Sequence, residues 1–418
     1  MSAGTLDQTA REAVASACAQ VDDATPADAV GGVPAALVAR PSSTDQVAEV
    51  LRAAAAHRLT VVPRGRGTKM AWGLPPTSAD LLLDVSGLDR VLDHAAGDLI
   101  VAAQAGTRLS DVQEAVAGSR QRLALDETVP GASIGGSLAT NVSGPRRMLA
   151  GTARDLLIGI TVVRADGVKA KAGGRVVKNV AGYDLGKLMI GSFGTLAVVT
   201  EALFRLHPLE DARRWVTVTV DDAARAHDAA SAVVHAQAVP TAVEVDWPAG
   251  SGGEGGGPGT VSVLLEGRPQ GVETRARTVA SLLGSGADVS EQEPAGWAAY
   301  PWTEGEVGLK LTFVLSGLGD VLAAARECGV HVRGSAGTGV LYGSLPGGDD
   351  DAAPGALARL REVCGRHHGH VVVVDAPAEV KRALDVWGPV PGLDLMRRVK
   401  DQFDPEHRLA PGRFAGGI

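Results

Sequence analysis

The sequence predicts an α+β protein with more than one domain, and three observations support this. The chain has 418 residues, whereas a domain has roughly 150. Apolar residues make up 45% of the sequence and charged residues 21%, which is typical of a globular protein and not of a disordered one. Strand-like runs alternate with amphipathic helices along the chain, and the character of the sequence changes near Leu209.

In the first half of the chain, the helix after Ser43 has the clearest signal, because Gln46 completes a capping box. A strand at Leu59–Pro63 then leads into a glycine-rich loop. An Asp166-Gly167 turn joins two strands of a predicted hairpin. The other predicted elements are helices at Thr5–Val21, Leu109–Ala117 (N-cap Thr107) and Asp184–Ile190, and strands at Leu81–Val85, Arg90–His94, Leu99–Ala103, Leu156–Arg164, Lys169–Ala172 and a strand ending near Leu206.

The second half predicts a separate α+β domain, because short alternating strands are interleaved with helices. Residues 248–259 are a glycine-rich flexible loop. The predicted strands are Trp215–Val220, Val261–Glu266, Leu309–Leu315, Val340–Tyr342 and Val371–Val374, and the predicted helices are Ala223–Gln237, Val272–Leu283, Asp320–Cys328 and Gly392–Phe403.

Composition excludes several classes of function. The formal net charge is −8 and Lys and Arg are not clustered, which argues against nucleic-acid binding. No apolar run is long enough for a membrane span, and the N-terminal sequence lacks the features of a secretory signal, so we expect a cytoplasmic protein. Cys18, Cys328 and Cys364 are widely separated and too few for an iron–sulfur cluster, which usually has four cysteine ligands. We expect no metal site; the His367–His370 cluster is better explained as a polar turn.

The main chemical signal is glycine, at 54 of 418 residues, nearly twice the usual ~7%. Three glycine-dense loops, at 63–68, 130–137 and 191–196, each lie beside a predicted strand. Successive glycines leave backbone amides free to converge on an anion such as a pyrophosphate. The first loop is neither a Walker A loop nor a dinucleotide fingerprint, and taken alone it is equally well explained as a surface turn.

The order of five motifs closely resembles the FAD-binding PCMH-type (vanillyl-alcohol oxidase-like) flavoproteins. The motifs are PRGRGT (63–68), PGASIGG with NVSG (130–144), GTARDLLIGITVVRADG (151–167), VVKNVAGYDL (176–185) and GSFGTLAVVTEA (191–202), and FDPEHRLAPGR (403–413) resembles the closing sequence of the family. The resemblance implies a two-subdomain FAD-binding domain at 33–209, an α+β cap domain on the substrate side at 210–375, and a segment at 376–418 that returns to the FAD domain.

The resemblance also implies which residues bind FAD. Relatives that hold FAD covalently carry a His in the first loop, and this chain has none there, so non-covalent FAD is expected. Arg146 and its neighbour Arg147 suit a flavin phosphate or a substrate carboxylate, although a surface pair explains them equally. The implied cofactor-binding residues are Pro63, Arg64, Gly65, Arg66, Gly67, Thr68, Pro130, Gly131, Ser133, Ile134, Gly135, Gly136, Asn141, Gly144, Arg146, Gly194, Val199 and Arg413.

Within the family, the chain is most similar to the FAD-binding subunits of bacterial glycolate oxidases. That similarity implies a complex that oxidises a small 2-hydroxy acid, glycolate, to glyoxylate. It also implies two partners, a larger FAD-containing subunit and an iron–sulfur subunit, through which the chain lies at the inner face of the membrane.

Two departures from the family pattern leave alternatives open. The EHGxG-type His and acidic cluster of the catalytic 2-hydroxyacid dehydrogenases is absent, and Ala410 replaces the usual Asn of the closing motif. No catalytic residue is therefore assigned. The alternatives are a non-catalytic FAD-bearing relay or assembly subunit, and a stand-alone FAD-dependent alcohol or 2-hydroxyacid oxidoreductase.

Overall fold

The computed structural model describes residues 6–175, 184–250, 257–346 and 352–418. The helices are α1 (Gln8–Ala17), α2 (Thr44–Ala56), α3 (Leu109–Ala117), α4 (Ile134–Ala139), α5 (Arg147–Ala150), α6 (Ala153–Leu156), α7 (Gly186–Met189), α8 (Ala223–His235), α9 (Pro269–Leu283), α10 (Leu318–Glu327), α11 (Ala352–Arg366), α12 (Ala378–Ala383) and α13 (Leu393–Phe403). The strands are β1 (Val21–Asp23), β2 (Leu37–Ala39), β3 (Val61–Arg64), β4 (Leu81–Asp84), β5 (Val91–Ala95), β6 (Ile100–Gln104), β7 (Gln121–Arg122), β8 (Leu157–Arg164), β9 (Lys169–Gly173), β10 (Ala197–Arg205), β11 (His207–Pro208), β12 (Ala212–Val220), β13 (Ala242–Trp247), β14 (Gly259–Gly267), β15 (Asp288–Ser290), β16 (Val307–Thr312), β17 (His331–Ser335), β18 (Val340–Leu345) and β19 (Val371–Asp375).

The chain divides into two compact units. Unit 1 comprises Met1–Val142, Thr152–Pro208 and Pro389–Ile418, and unit 2 comprises Ser143–Gly151 and Leu209–Gly388. Relative to the ranges expected from the sequence, the short segment 143–151 lies with unit 2, and the C-terminal return to unit 1 starts at Pro389 instead of residue 376.

Unit 1 contains two main sheets. The first has the order β1-β2-β4-β3, in which β4 runs parallel to both β2 and β3. Helix α2 connects β2 to β3, and its buried Val47 and Leu51 share a core with Leu81 and Leu83 of β4. The second is an antiparallel sheet in the order β5-β6-β10-β8-β9. The loops that follow β3 and precede β10 carry two of the three glycine-rich motifs, so the sheets fix where these loops begin and end.

Unit 2 is built on one antiparallel sheet in the order β15-β12-β14-β13-β17-β18-β16-β19. Directly opposed residues of antiparallel strands share a face. Tyr342 stands opposite both Arg333 and Lys310, and Arg333 stands opposite Asp246. One face of the sheet is therefore polar. The alternate residues of these strands, Val243, Val245, Val263, Leu309, Leu311 and Leu341, are fully buried.

Several local predictions are confirmed and several are wrong. The hairpin is confirmed, with Gly167 at φ +76° between β8 and β9, and Ser43 Oγ caps α2 by accepting the Gln46 amide at 3.1 Å. Thr107 is not the N-cap of α3: Arg108 occupies that position, and the Thr107 hydroxyl donates to the Arg90 carbonyl. The helix expected at 184–190 is only the four residues of α7. Strands β13 and β17 and helix α11 were not predicted from the sequence.

Within the described ranges, no helix is both long and apolar enough to cross a membrane. In the same ranges, no group of three or more His, Cys, Asp and Glu side chains is placed to bind a metal ion.

Candidate FAD-binding site

Two adjoining pockets of unit 1 bring the three glycine-rich loops together. They share five lining residues: Pro63, Gly65, Gly136, Ala139 and Phe193. The first pocket is completed by Arg66, Gly67, Thr68, Lys69, Met70, Ser133, Thr140 and Arg413. The second is completed by Arg64, Val85, Gly135, Ser192, Gly194, Ala197, Val198 and Val199. The loops are thus parts of one site and not independent turns.

The glycines are required by close packing of these loops. A Cβ added to Gly65 would overlap the hydroxyl oxygen of Ser133, and one added to Gly135 would lie 2.8 Å from the Cβ of Ala105. Gly67 and Gly194 have φ values of +78° and +75°, a region that side chains other than glycine adopt at a cost. The backbone therefore forms the wall of the pockets directly, as a flat or anionic ligand requires.

Backbone hydrogen bonds fix the second and third loops to each other. The amides of Gly191 and Phe193 both donate at 2.9 Å, to the carbonyls of Leu138 and Ala139 at the end of α4. The Gly135 amide donates to Ala105 at 2.7 Å. Because the pocket wall is held by backbone bonds at several points, its shape is largely set before any ligand binds.

The two arginines of the first loop do not supply charge to the pocket through their side chains. The Arg64 guanidinium pairs with Asp84 at 2.8 Å and with Asp28 at 2.9 Å. A backbone hydrogen bond from Thr25, together with Arg64, lowers the pKa of Asp28 to about 2, against the opposing effect of burial. The Arg66 guanidinium donates to the Gly106 carbonyl and pairs with Asp89. These arginines position the loop, and their backbone lines the pocket.

Two other cations line the first pocket, Lys69 and Arg413. Lys69 is 7% exposed, and its ammonium group has one hydrogen bond, at 3.3 Å to Thr68 Oγ1. Burial lowers the pKa of Lys69 to about 8, although Glu127 acts in the opposite direction. Arg413 uses Nη2 to donate to the carbonyls of Met70 and Trp72, and burial lowers the pKa of its guanidinium to about 10. Its buried Nη1 has no hydrogen-bond partner among the residues that the structure describes.

Buried cations without counterions are costly. Lys69 and Arg413 have no ion-pair partner in the described part of the chain, and both border a pocket walled by glycine backbone. An anionic group bound in the pocket would satisfy both. The residues present therefore fit the pyrophosphate of FAD, for which Lys69 and Arg413 would be the charged contacts and the first loop the backbone contact.

The structure places most, but not all, of the residues expected from the sequence around the pockets. Ile134 is buried in the core, and Asn141 is exposed beside Gly191. Gly144 and Arg146 lie in unit 2, where the Arg146 guanidinium pairs with Glu266 at 2.9 Å. Pro130 and Gly131 also stand outside the two pocket linings. These six residues lie outside the pocket linings, and FAD contacts by all the residues expected from the sequence remain predictions.

Sequence reasoning missed Lys69 and Phe193 as pocket residues. Lys69 directly follows the PRGRGT motif, so the sequence shows that it is close to the loop. Only the structure shows that carboxylates neutralise its neighbours Arg64 and Arg66, which leaves Lys69 as the cation of this segment. Phe193 lies within the third motif, and its ring is 5.8 Å from that of Phe414. No sequence pattern predicts this contact.

A buried ion pair attaches the C-terminal segment to the third loop. Lys400 and Asp404 have no exposed side-chain surface, and Lys400 Nζ contacts Asp404 Oδ2 at 2.7 Å. The same ammonium donates to the carbonyls of Thr195 at 2.7 Å and Leu409 at 2.9 Å. Leu409 also pairs with Val61 of β3. These bonds set the position of Arg413, four residues further on.

Comparisons with known proteins agree with this geometry. Residues 35–173 match the family model described as FAD binding domain. The chain is 27% identical to glycolate oxidase subunit GlcD of Bacillus subtilis over 94% of this chain and 91% of that protein. It is 33% identical to glycolate oxidase subunit GlcE of Escherichia coli, over 38% of this chain and 46% of that protein.

Other relatives match over shorter segments, and solved structures match over nearly the whole chain. A D-2-hydroxyglutarate dehydrogenase of Xanthomonas citri is 37% identical over 40% of this chain and 36% of its own length. A D-lactate dehydrogenase of Archaeoglobus fulgidus is 33% identical over 41% of this chain and 39% of its own length. The structure of p-cresol methylhydroxylase has a TM-score of 0.75 at 14% identity, covering 98% of this chain and 97% of that one. The chain therefore contains an FAD binding domain at residues 35–173, has the fold of p-cresol methylhydroxylase and is an FAD-dependent oxidoreductase.

Proposed function

We propose that this chain is the FAD-binding subunit of a glycolate oxidase or dehydrogenase complex, which oxidises a 2-hydroxy acid and passes the electrons to an iron–sulfur partner. The observation that carries the proposal is the glycine-walled pocket with Lys69 and Arg413, in a chain similar to a glycolate oxidase subunit over 94% of its length. Glycolate and glyoxylate are the proposed substrate and product.

The names of the relatives support a shared substrate class. Glycolate, D-lactate and D-2-hydroxyglutarate all carry a hydroxyl group on the carbon next to a carboxylate. Oxidation of that carbon removes its hydrogen as hydride and the hydroxyl hydrogen as a proton. When bound, FAD supplies the hydride acceptor and can then release electrons one at a time.

The chain's own residues bind and orient the cofactor in this proposal. The amides of Gly65 and Gly67, with the charges of Lys69 and Arg413, hold the pyrophosphate. The backbone of Gly135, Gly136 and Gly194 allows close approach to the rest of the cofactor. The first loop carries no His, so attachment is non-covalent. The electrons leave to a partner because Cys18, Cys328 and Cys364 are too few to ligate a cluster within this chain.

A second candidate is a non-catalytic relay or assembly subunit that carries FAD while a larger partner oxidises the substrate. The absence of the EHGxG-type cluster favours this candidate. Both candidates involve a complex of several subunits, and the cytoplasmic location expected from the sequence remains a prediction.

One anaerobic experiment separates the two. The purified chain is reconstituted with FAD, and glycolate or D-lactate is added without any electron acceptor. If this chain oxidises the substrate, the flavin absorbance bleaches, and a one-electron dye restores it. Bleaching by substrate alone would exclude the relay role. An absorbance that stays unchanged with both acids but is bleached by dithionite would exclude catalysis by the isolated chain.

A further inference from the structure

We propose that Arg147, with Tyr342 and Lys310 beside it, forms a carboxylate-binding subsite for the 2-hydroxy acid on the polar sheet face of unit 2. This inference rests on the proposed function, since it assigns the residues that recognise its substrate. Arg147 opens α5 in the segment Ser143–Gly151, which belongs to unit 2 although most of its sequence neighbours belong to unit 1.

The Arg147 guanidinium is held in place but its charge is not neutralised. Nε donates to the Gly144 carbonyl at 3.1 Å, and Nη2 donates to the Tyr342 hydroxyl at 3.2 Å. Its Cζ atom lies 5.9 Å from the centre of the Tyr342 ring. A phenol and a carbonyl fix the direction of the guanidinium, and neither is a carboxylate.

A second cation, Lys310, is the neighbour of Tyr342 on the adjacent strand. Lys310 of β16 stands directly opposite Tyr342 of β18 in the antiparallel register, so both side chains are on one face. Burial alone would raise the pKa of Tyr342, but the positive charges of Arg147 and Lys310 lower it. The two cations therefore act on one point of the sheet.

Two arginines close to Arg147 are neutralised, one adjacent to it in sequence and one opposite Tyr342 in the sheet. The adjacent Arg146 pairs with the buried Glu266 at 2.9 Å, and Arg333 pairs with Asp246 at 2.7 Å. Across the described residues, no carboxylate lies within ion-pair distance of Arg147 or Lys310. Burial opposes a rise in the pKa of Arg147, and the charge of Glu244 is among the effects that raise it. An incoming carboxylate would therefore meet a net positive charge.

Aromatic rings form the wall next to this charge. The Tyr300 ring meets Tyr342 edge-on at 4.6 Å and stacks on Trp302 at 4.5 Å. Trp302 packs against Gly308, where an added Cβ would lie 2.6 Å from the indole ring. A small 2-hydroxy acid has the matching chemistry: a carboxylate for the guanidinium fork and the ammonium, and a short carbon chain for the rings.

The test measures carboxylate binding separately from turnover. Oxalate is the probe, because it carries carboxylates but has no hydrogen to donate as hydride. Binding to the FAD-loaded full chain is followed by calorimetry and by tryptophan fluorescence, since Trp302 lies 6.1 Å from Tyr342. We expect Arg147→Met to raise the dissociation constant about tenfold to a hundredfold, and Tyr342→Phe to raise it less, as loss of a charged contact exceeds loss of one neutral hydrogen bond.

The controls separate a binding role from a structural one. Arg359→Met removes an arginine of α11 that pairs with Glu327 and Glu362, and it is expected to leave oxalate binding unchanged. Trp302→Phe is expected to abolish the fluorescence response while calorimetry still detects binding. Arg147→Lys keeps the charge but not the fork, so its dissociation constant is expected to lie between those of wild type and Arg147→Met. If Arg147→Met does not fold, the dissociation constant of oxalate for Arg147→Lys tests the subsite in its place.

Each outcome bears on one proposal or the other. Oxalate binding that is lost in Arg147→Met, with flavin absorbance and melting temperature unchanged, supports the subsite. Wild-type affinity in Arg147→Met and Arg147→Lys, or no oxalate binding by the wild-type chain, overturns it. If oxalate binds through Arg147 but neither glycolate nor D-lactate bleaches the flavin, the proposed oxidation fails and the carboxylate subsite stands.

Discussion

Replacement of Lys400 by Met gives the sharpest test of how the C-terminal segment is held to the FAD-binding unit. The ammonium is fully buried and makes three contacts of 2.7 to 2.9 Å, to Asp404, Thr195 and Leu409. In the variant, Asp404 keeps one hydrogen bond, from the Leu409 amide at 2.7 Å, and becomes a buried charge without a partner.

The expected cost follows from that unpaired charge. Removal of one partner of a buried ion pair costs about 3–5 kcal/mol. Replacing both partners, as in Lys400→Met with Asp404→Asn, leaves no buried charge and costs only lost hydrogen bonds, about 1–3 kcal/mol. The double variant is therefore expected to be more stable than Lys400→Met alone. This reversal distinguishes an ion-pair effect from a general loss of packing.

Thermal release of FAD, followed by flavin fluorescence, reports on the pockets of unit 1 and avoids the assumption that both units unfold together. At roughly 2–4 °C per kcal/mol for a unit of this size, Lys400→Met should lower the midpoint by about 6–20 °C. A midpoint within about 2 °C of wild type, or a double variant less stable than Lys400→Met, would refute the reasoning.

Three further predictions concern the FAD pocket. Because the pKa of Lys69 is about 8 and a bound pyrophosphate favours its charged form, the dissociation constant of FAD should rise as the pH increases above about 8. Lys69→Met should weaken FAD binding about tenfold at neutral pH and remove this pH dependence. Equal pH profiles of the wild type and the variant in equilibrium titrations would contradict the assignment. Gly67→Asp should give protein without flavin absorbance. Gly67→Asn imposes the same backbone strain at φ +78° without the charge and should retain most of the absorbance. Equal flavin content in the two purified proteins would show that the charge does not cause the loss of flavin. Gly65→Ala should lower the flavin content because its Cβ would overlap Ser133. The control Gly97→Ala, whose Cβ would meet no atom within 4 Å, should leave the flavin content unchanged. Full flavin content in Gly65→Ala would contradict the close packing of the loops.

The sequence was sufficient to predict the loops but not the charges of the pocket. At Gly65 and Gly135 the backbone packs too closely for a residue with a Cβ. The glycine motifs therefore predict the position of the pocket loops. The direction of a long side chain depends on partners distant in sequence. Arg64 points to Asp28 and Asp84, and this leaves the cationic role to Lys69 and Arg413.

Partners that are distant in sequence also explain why some predicted helix and strand positions were wrong. Thr107 has the composition of an N-cap, but the Arg90 carbonyl is a competing partner from a neighbouring strand. Strands β13 and β17 lie in the interior of the unit 2 sheet, and their sequences mix charged and apolar residues, so neither was recognised. Residues 176–183 of the VVKNVAGYDL motif lie outside the residues that the structure describes.

The contact of Arg413 with Met70 and Trp72 joins residues 343 and 341 positions apart. During synthesis the glycine loops leave the ribosome hundreds of residues before the arginine that completes their charge. A nascent chain therefore has the walls of the pocket without its second cation, and without the Lys400 anchor that positions it. Tight cofactor capture is therefore expected only after the segment that carries Lys400 and Arg413 has been synthesised.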